Sequence, residues 1–504
     1  MNPHAVSRFK PARTINVALF VCLLTLAHAA GQTPTNAPDP VEGKWYGMTG
    51  FPQDRVEVGF EFKRNEKGEL KAYLYQPVIN FYGLELPGTL NKVGDKYVHE
   101  DMRMSLTLHD GKLEGTFFPL NGPISLQRTN ALPKEVAVPA LPLGPGPKWQ
   151  AKLGGAIYAT AAVRDGIAYV GTTGGMFYAI SLKDGSYVWP FNAGRAVYGE
   201  AVLTDEHVYF VCDNGFLFKL DRKTGKEVWR YDLGDAQAQR ILPHQVVPNS
   251  GDFDFDSSAP RPLLFEGVIY VGSGDGGLHA VNAATGQRVW RFEARGKNRT
   301  DAIIDGPHVI FGSLDEHVYC VDRRTGKEVW KKNTRGPLTS SPLLIDDKLI
   351  IGNRNGLLAA LNPATGEVIW RMIFWGSAVE STPVAAGEGG LFYIGASDLR
   401  RVSLIDSKDA RVLWRTDVYG WAWPRPTLTD KLVYASTIGV SPYQMRHLGA
   451  LTAIDRKSGK IIWRWPMPEC ANSWMYGFAA SPVIQNSTLV VGGLDGTLYA
   501  FPVE

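Results

Sequence analysis

The sequence predicts an all-β protein, in which an eight-bladed β-propeller closed by an N-terminal strand follows a small β-barrel or sandwich domain. Three observations support this prediction. A tryptophan-containing motif recurs about every 40 residues, short apolar strands separated by Gly-rich turns lie between its copies, and Pro-rich stretches flank an alternating apolar–polar segment near the N-terminus. Because Gly and Pro interrupt the chain every few residues, no long helical period survives.

The motif consists of Asp or Asn, two residues, Thr or Ser, Gly, three residues and Trp. Five full copies start at Asp221, Asn282, Asp322, Asn362 and Asp455, and degraded copies start at Ser181 and Asp406. The acidic or amide side chain can bond turn amides, Gly can take the positive φ of a tight turn, and Trp offers a flat surface to the next blade. The predicted blade-docking residues are Trp149, Trp189, Trp229, Trp290, Trp330, Trp370, Trp414 and Trp463.

The two ends of the repeat region complement each other. The last unit ends at Glu504, before the position of its fourth strand, whereas the segment at Trp149 resembles a fourth strand without the first three. Trp149 precedes Trp189 by 40 residues, which is the usual spacing. We therefore expect the Trp149 strand to complete the last blade, so that residues 149–504 form a closed ring of eight blades.

This repeat resembles the PQQ-type propeller repeat, whose family includes quinoprotein dehydrogenases and the outer-membrane assembly factor BamB. The resemblance covers residues 149–504 and implies the eight-bladed fold. It also implies two functions, which are dehydrogenation with PQQ bound at the propeller axis, or binding of other proteins in the cell envelope. The docking tryptophans are structural in both groups and do not discriminate between them.

The N-terminal part of the chain predicts export. Residues 1–29 contain three basic residues, an apolar run and small residues near Ala29, as in a signal peptide. Residues 30–42 are expected to be a linker, 43–131 a small all-β domain of lipocalin-like pattern, and 132–148 a Pro-rich linker. We expect the mature chain to have no transmembrane span and to act in the periplasm or cell envelope.

The charge pattern gives no indication of a nucleic-acid partner. The net charge of +3 comes from Arg8, Lys10 and Arg13 of the predicted signal peptide, because the rest of the chain carries 50 basic and 50 acidic residues. No cluster of Lys and Arg suggests binding to a polyanion. The resemblance to the BamB family instead implies envelope proteins or peptides as partners, with a small-molecule ligand as a further possibility.

Candidate binding residues lie at the predicted axis and on one face. Alignment of the innermost strands places small residues, including Thr300 of the fourth blade, at the axis, where Glu200, Arg261 and Arg425 stand out. These charges either form ion pairs with one another or bind an anionic ligand. The connections on the same face contain four further tryptophans: Trp375, Trp421, Trp423 and Trp474. Such a lining suits a planar anionic cofactor such as PQQ, and equally a peptide.

The longest insertion, between Trp229 and Trp290, contains Asp252, Asp254 and Asp256. In an extended segment these carboxylates share one side and could bind Ca²⁺, although a solvated loop explains them as well. The sequence has no adjacent cysteines, which quinoprotein alcohol dehydrogenases carry above their cofactor. We therefore favour a non-catalytic binding or scaffold protein resembling BamB over a PQQ-dependent dehydrogenase of alcohols or sugars.

Overall fold

The structure is a computed structural model that describes residues 38–50, 55–117, 122–234, 240, 256, 258–374, 377–387, 389–441, 446–470 and 473–503. The predicted signal peptide (1–29) lies outside the described residues, as does most of the predicted linker 30–42. Residues Gly43–Glu504 form one compact unit, separate from Met1–Glu42. No helix in the described ranges is long and apolar enough to cross a membrane.

The front domain is one nine-stranded antiparallel sheet that curls on itself. Its strands follow an up-and-down order, and the first strand pairs with the last, through Trp45 opposite Arg128. A short 3₁₀ helix, Pro77–Ile79, precedes the fourth strand. The strands are β1 (Gly43–Thr49), β2 (Val56–Arg64), β3 (Leu70–Gln76), β4 (Phe81–Glu85), β5 (Asn91–Val93), β6 (Lys96–His99), β7 (Met104–His109), β8 (Lys112–Phe117) and β9 (Gly122–Arg128).

Alternation along these strands produces the core of the front domain. Trp45, Phe60, Phe62 and Leu106 have no exposed surface, whereas most of their neighbours along the same strands are at least partly exposed. The Arg128 guanidinium lies 4.7 Å from the centre of the Trp45 ring, which is cation–π distance. The predicted small barrel or sandwich is therefore a curled sheet with an aromatic interior.

His99 is an uncommon residue in this interior. It has no exposed surface, and neither ring nitrogen has a hydrogen-bond partner among the described residues. Burial lowers the pKa of His99, Asp101 acts in the opposite direction and Lys71 adds to the decrease. The unfolded chain therefore binds a proton more readily than the folded domain does.

We expect the free energy of unfolding of the front domain to decrease as the pH falls below about 6.5, the ordinary pKa of histidine. His99 contributes at most about 1.4 kcal/mol per pH unit to this decrease. His99→Leu should remove that part of the pH dependence. Hydrogen-exchange protection factors of β6 and β7 at pH 7.5 and pH 5 measure it. The exposed His109→Gln is the control and should behave as wild type. Equal losses in wild type and His99→Leu would contradict the prediction.

The described residues of the rest of the chain form eight antiparallel sheets, seven with four strands and one with five, which confirms the predicted propeller. The first strands of neighbouring blades contact one another, so they are innermost. β10 (Trp149–Lys152) comes first in the chain and belongs to the last blade. The first four blades are β11 (Ala162–Arg164), β12 (Ile167–Gly171), β13 (Met176–Ser181) and β14 (Tyr187–Asn192); β15 (Val202–Leu203), β16 (His207–Cys212), β17 (Phe216–Asp221) and β18 (Glu227–Asp232); β19 (Leu263–Phe265), β20 (Val268–Gly272), β21 (Gly277–Asn282) and β22 (Arg288–Glu293); and β23 (Ile303–Asp305), β24 (His308–Gly312), β25 (His317–Asp322) and β26 (Glu328–Asn333).

The second half of the ring has the same plan, with one additional strand, β39, that pairs with β36. The blades are β27 (Leu343–Ile345), β28 (Lys348–Gly352), β29 (Leu357–Leu361) and β30 (Val368–Ile373); β31 (Val384–Ala385), β32 (Leu391–Gly395), β33 (Arg401–Asp406) and β34 (Val412–Asp417); β35 (Thr427–Leu428), β36 (Leu432–Val440), β37 (Ala450–Asp455) and β38 (Ile461–Pro466), followed by β39 (Met475–Gly477); and β40 (Val483–Gln485), β41 (Thr488–Gly492) and β42 (Thr497–Pro502), completed by β10.

The ring closes as predicted, because β10 pairs with β42 and Trp149 stands opposite Ala500. The preceding segment also takes part. The Gly144 amide donates to the Arg464 carbonyl, and the Arg464 amide donates to the Pro142 carbonyl. A Cβ atom on Gly144 would overlap the Trp463 ring. Gly144 therefore packs against the tryptophan of the seventh blade in the way that the motif glycines pack against the other docking tryptophans. Structural contacts of the propeller thus begin within the Pro-rich segment.

The docking motif fixes adjacent blades to one another. A Cβ on each motif glycine would lie 2.6 to 2.9 Å from a ring atom of the preceding blade's tryptophan, as for Gly225 on Trp189. Six of the tryptophans donate Nε1–H to a carbonyl of the next blade at 2.6 to 3.2 Å: Trp149, Trp189, Trp290, Trp330, Trp370 and Trp414. The equivalent acceptor for Trp229 is the Ala283 carbonyl, which instead accepts from the buried Lys219 Nζ at 3.0 Å.

A β-bulge precedes the tryptophan in seven blades. In the first blade Trp189 pairs with Ala179 but Tyr187 pairs with Ile180, so Val188 is the extra residue. The equivalent residues are aliphatic and 40 to 49% exposed: Val188, Val228, Val289, Val329, Ile369, Leu413 and Ile462. A bulge on an outermost strand disrupts its free edge and disfavours pairing with another chain.

Candidate functional site

A ladder of hydrogen bonds surrounds the propeller axis. In five of the eight blades, the residue two positions before the first strand donates its backbone N–H to the side chain of the equivalent residue in the next blade. The bonds are Arg261 to Asp301 Oδ1 (2.7 Å), Asp301 to Ser341 Oγ (2.9 Å), Ser341 to Thr382 Oγ1 (3.2 Å), Arg425 to Ser481 Oγ (2.9 Å) and Ser481 to Thr160 Oγ1 (3.1 Å). The ladder holds these residues around one axis.

The fourth blade contributes Asp301 to this ladder, and the expectation of Thr300 was wrong by one residue. The Thr300 hydroxyl turns away into its own blade, where it accepts from the Gly312 amide and donates to the Gly312 carbonyl. Ala302 stands where other blades have the proline that served for alignment. The 40-residue spacing between Trp290 and Trp330 would have placed Asp301 opposite Ser341.

The charged residues at the axis form one connected network. Arg425 Nη2 lies 3.0 Å from Glu200 Oε2, and Arg261 Nη1 lies 3.6 Å from Glu200 Oε1. Arg261 Nε also lies 3.8 Å from Asp301 Oδ2. Burial lowers the pKa of Arg261, but Asp301 and Glu200 outweigh it and raise the pKa overall. The structure therefore contains the first of the two expected arrangements, in which the charges form ion pairs with one another. The four charged side chains of the network also line a common cavity.

The cavity at the axis has a volume of about 150 Å³. All eight ladder positions line it, and its wall adds two tyrosines, Tyr158 and Tyr198, whose ring centres are 5.3 Å apart. Burial raises the pKa of both phenols well above 10, so both are neutral and can donate hydrogen bonds. Sequence reasoning missed these tyrosines, although each stands two residues before a ladder residue.

Three of the four tryptophans predicted on this face lie together. The Trp421 and Trp423 rings stack with centres 4.5 Å apart and planes 9° apart, and Trp474 meets Trp421 edge-on at 6.4 Å. Trp421 is buried, whereas Trp423 lines the axial cavity and donates Nε1–H to Ser397 Oγ at 3.0 Å. Trp423 therefore forms part of the cavity wall, and Trp421 packs behind it. Trp375 lies outside the described residues.

The insertion between the second and third blades is anchored by ion pairs. Asp256 is buried and lies 2.9 to 3.1 Å from Arg240, Lys297 and Arg299. Burial raises the pKa of Asp256, but these cations outweigh it and keep the carboxylate ionised. The contacts account for Asp256 without a metal ion. Asp252 and Asp254, its predicted companions in a calcium site, lie outside the described residues.

The front domain reaches the same face through Asn80, which directly follows its 3₁₀ helix. Asn80 Nδ2 donates to the Asp398 carbonyl at 3.0 Å, and Asn80 Oδ1 accepts from Arg400 Nη2 at 2.6 Å. Asp398 Oδ1 in turn accepts from Trp421 Nε1 at 2.7 Å. A single propeller residue, Asp398, therefore links Asn80 of the front domain to Trp421 and the two tryptophans that contact it. No pattern in the sequence marks this contact, because Asn80 resembles any other turn residue.

Comparison with known proteins gives the same architecture. Crystal structures similar to the chain include a europium-containing methanol dehydrogenase (13% identity, TM-score 0.56, 71% of this chain and 93% of that one) and the quinohemoprotein alcohol dehydrogenase of Comamonas testosteroni (16%, 0.52, 71% and 76%). BamB from Moraxella catarrhalis is similar at 17% identity, with a TM-score of 0.47 and 69% and 90% covered. At such identities the likenesses to the two dehydrogenases show the fold alone.

No curated protein matches the chain by sequence. A family model described as "Outer membrane protein assembly factor BamB" matches residues 146–253, 249–373 and 354–503, which together span the whole propeller and leave the front domain outside. The repeated docking motif, the eight blades and this match agree with one another. The chain belongs to the PQQ-like β-propeller family of the outer membrane protein assembly factor BamB.

Proposed function

We propose that this protein is an exported, non-catalytic binding protein of the cell envelope that presents the face of its propeller around the axial cavity to partner proteins. One observation carries the proposal: the charged groups at the axis are paired with one another, from Arg425 through Glu200 and Arg261 to Asp301. The lining of the cavity thus sets three arginines against three carboxylates and has no excess of positive charge for a cofactor that carries several negative charges. The family described as an outer membrane protein assembly factor supports an envelope role.

The residues at the axis do not fit PQQ, the cofactor of the alternative function. The cavity of about 150 Å³ is smaller than the ~300 Å³ at which pockets for drug-sized ligands begin. Glu200 and Asp301 line it and would repel a cofactor that carries several negative charges. We therefore derive no reaction through PQQ and favour binding over dehydrogenation.

Several features gather on the proposed binding face. The lining of the cavity comes from the connections that enter each first strand. The turn at Asp398, between β32 and β33, contacts the connection that contains Trp421, and the turn at Asp213 contacts Arg240 of the insertion. The connections between blades and these turns therefore share one side of the ring. The docking-motif turns connect the opposite ends of the strands and lie on the other side.

Site-specific photo-crosslinking in cells tests the proposal. A photoreactive residue at Arg195, which is exposed in the connection between the first and second blades, should capture outer-membrane proteins or components of their assembly machinery. The matched control is Lys223, an equally cationic and exposed residue in a docking-motif turn on the other side. Equal crosslinking at both positions, or none at Arg195, would contradict a binding role for this face.

Calorimetry with PQQ and Ca²⁺ tests the alternative. We expect no heat of binding at high micromolar PQQ, because the positive and negative charges of the lining balance and the cavity is small. Stoichiometric binding of PQQ that disappears in Arg425→Ala, together with dye reduction in the presence of an alcohol or a sugar, would replace the binding proposal by a dehydrogenase.

A further inference from the structure

We propose that the axial cavity binds a single carboxylate group of a partner polypeptide, either an acidic side chain or the C-terminus of the chain. This inference rests on the proposed binding function and specifies the chemistry that the binding face recognises. Four independent features carry it: the hydroxyl groups of the ladder, the exposure of one arginine, the local charge balance and the size of the cavity.

The ladder leaves hydrogen-bond donors facing the axis. The hydroxyl oxygens of Thr160, Ser341, Thr382 and Ser481 each accept a backbone N–H from the neighbouring blade. Among the bonds between described residues, none uses these four O–H groups as donors. A hydroxyl that has accepted one hydrogen bond still has its own proton to give. Since the same residues line the cavity, a ligand that accepts hydrogen bonds suits this ring.

Arg261 is the cation best placed to meet such a ligand. Its side chain is 37% exposed, and its contacts to Glu200 at 3.6 Å and Asp301 at 3.8 Å are longer than hydrogen bonds. Its main chain is fixed at the axis, because its backbone N–H donates to Asp301. A guanidinium group that starts from a fixed main chain and is not bidentately paired can receive a carboxylate with two parallel hydrogen bonds.

The charge around the cavity favours a ligand with one negative charge. The lining contains three arginines and three carboxylates, and the chain of ion pairs that starts from Arg299 and Glu380 behind the lining adds three cations and two carboxylates. The described groups therefore carry one net positive charge. They are Arg261, Arg299 and Arg425 with Glu200, Asp301 and Glu380 in the lining, and Arg240, Lys297 and Arg354 with Asp213 and Asp256 behind them.

The size and shape of the cavity favour the end of a peptide or one side chain. About 150 Å³ accommodates a carboxylate and the few carbon atoms that carry it, but not a folded segment. Trp423 and the pair of Tyr158 and Tyr198 supply flat apolar surface for those carbon atoms. A carboxylate on a flexible chain can therefore enter from the binding face while the rest of the partner stays outside.

Ligand-observed NMR with three tripeptides tests the inference and separates the two sources of the carboxylate. Acetyl-Ala-Glu-Ala-amide offers only a side-chain carboxylate, acetyl-Ala-Ala-Ala with a free C-terminus offers only a terminal one, and acetyl-Ala-Gln-Ala-amide offers neither. We expect saturation transfer to one or both carboxylate peptides and none to the glutamine peptide. Equal signals from all three, or none, would overturn the inference.

Two variants locate the binding. Arg261→Gln should weaken binding of the carboxylate peptide at least tenfold, and Arg324→Gln, which changes an exposed arginine in a docking-motif turn on the other side of the propeller, should leave the affinity unchanged. If Arg261→Gln does not fold, Ser341→Ala, which removes one hydroxyl donor, should weaken binding several-fold. Full affinity in the folded variants would overturn the inference. If the crosslinks at Arg195 persist while no carboxylate binds, the binding function stands and only this inference fails.

Discussion

Replacing Trp149 by alanine is expected to open the propeller ring and to lower the free energy of unfolding by about 3–5 kcal/mol. The indole of Trp149 joins the last blade to the first. Its Nε1–H donates to the Leu182 carbonyl at 2.9 Å, and Gly185 packs against the ring so closely that a Cβ there would lie 2.7 Å from it. The same strand pairs with β42, so the loss weakens the one blade built from both ends of the propeller.

Urea denaturation followed by circular dichroism measures this effect. The control is Lys152→Ala in the same strand, because Lys152 is exposed and its ammonium bonds only to the rim of the last blade. That variant should stay within about 0.5 kcal/mol of wild type. A loss in Trp149→Ala no larger than that of the control would mean that the ring does not depend on its closing tryptophan.

Arg400→Met is expected to detach the front domain from the propeller, at a cost of about 3 kcal/mol. The Arg400 side chain is buried and its guanidinium binds three groups: Asn80 Oδ1 at 2.6 Å, Asp417 Oδ2 at 3.0 Å and the Arg446 carbonyl at 2.6 Å. Methionine keeps the aliphatic bulk but leaves the Asp417 carboxylate without this partner.

Hydrogen exchange of the segment around Pro77–Ile79 reports whether the front domain is docked. Val78 and Ile79 of this segment pack with Phe374 and Leu399 of the propeller, so docking should protect its amides. Arg411→Met is the control, because Arg411 is a largely exposed arginine of the same blade. Unchanged protection in Arg400→Met would show that apolar packing alone holds the two parts together.

The propeller could be predicted from the sequence because each blade repeats the same local chemistry. The motif glycine and tryptophan stand at a fixed offset, and their contacts join only neighbouring blades. The bulge before seven of the docking tryptophans escaped prediction, although an aliphatic residue such as Val188 or Val228 stands there in all seven blades. Its exposure becomes understandable only once the pairing register is known, since one extra residue turns the following side chains to the other face.

The candidate site could be predicted only in part, because its contacts join residues that are far apart in the sequence. The axial position of Glu200, Arg261 and Arg425 followed from the repeat, but their distances depend on the curvature of the ring. Asp301 was missed where a proline was lacking. The contact between Asn80 and Arg400 joins residues of different domains, and no periodic pattern relates them.

The closing strand also has a consequence for the order in which the protein can mature. β10 and β42 are separated by about 350 residues, so the first strand of the propeller to be synthesised pairs with the last. At about 5–20 residues per second, synthesis of that interval takes roughly 20 to 70 s. During this time β10 has no native neighbour in its sheet, and the propeller that this strand closes is still open. The nascent chain is therefore most open to mispairing and to holding chaperones in that interval, which ends only when β42 has been synthesised.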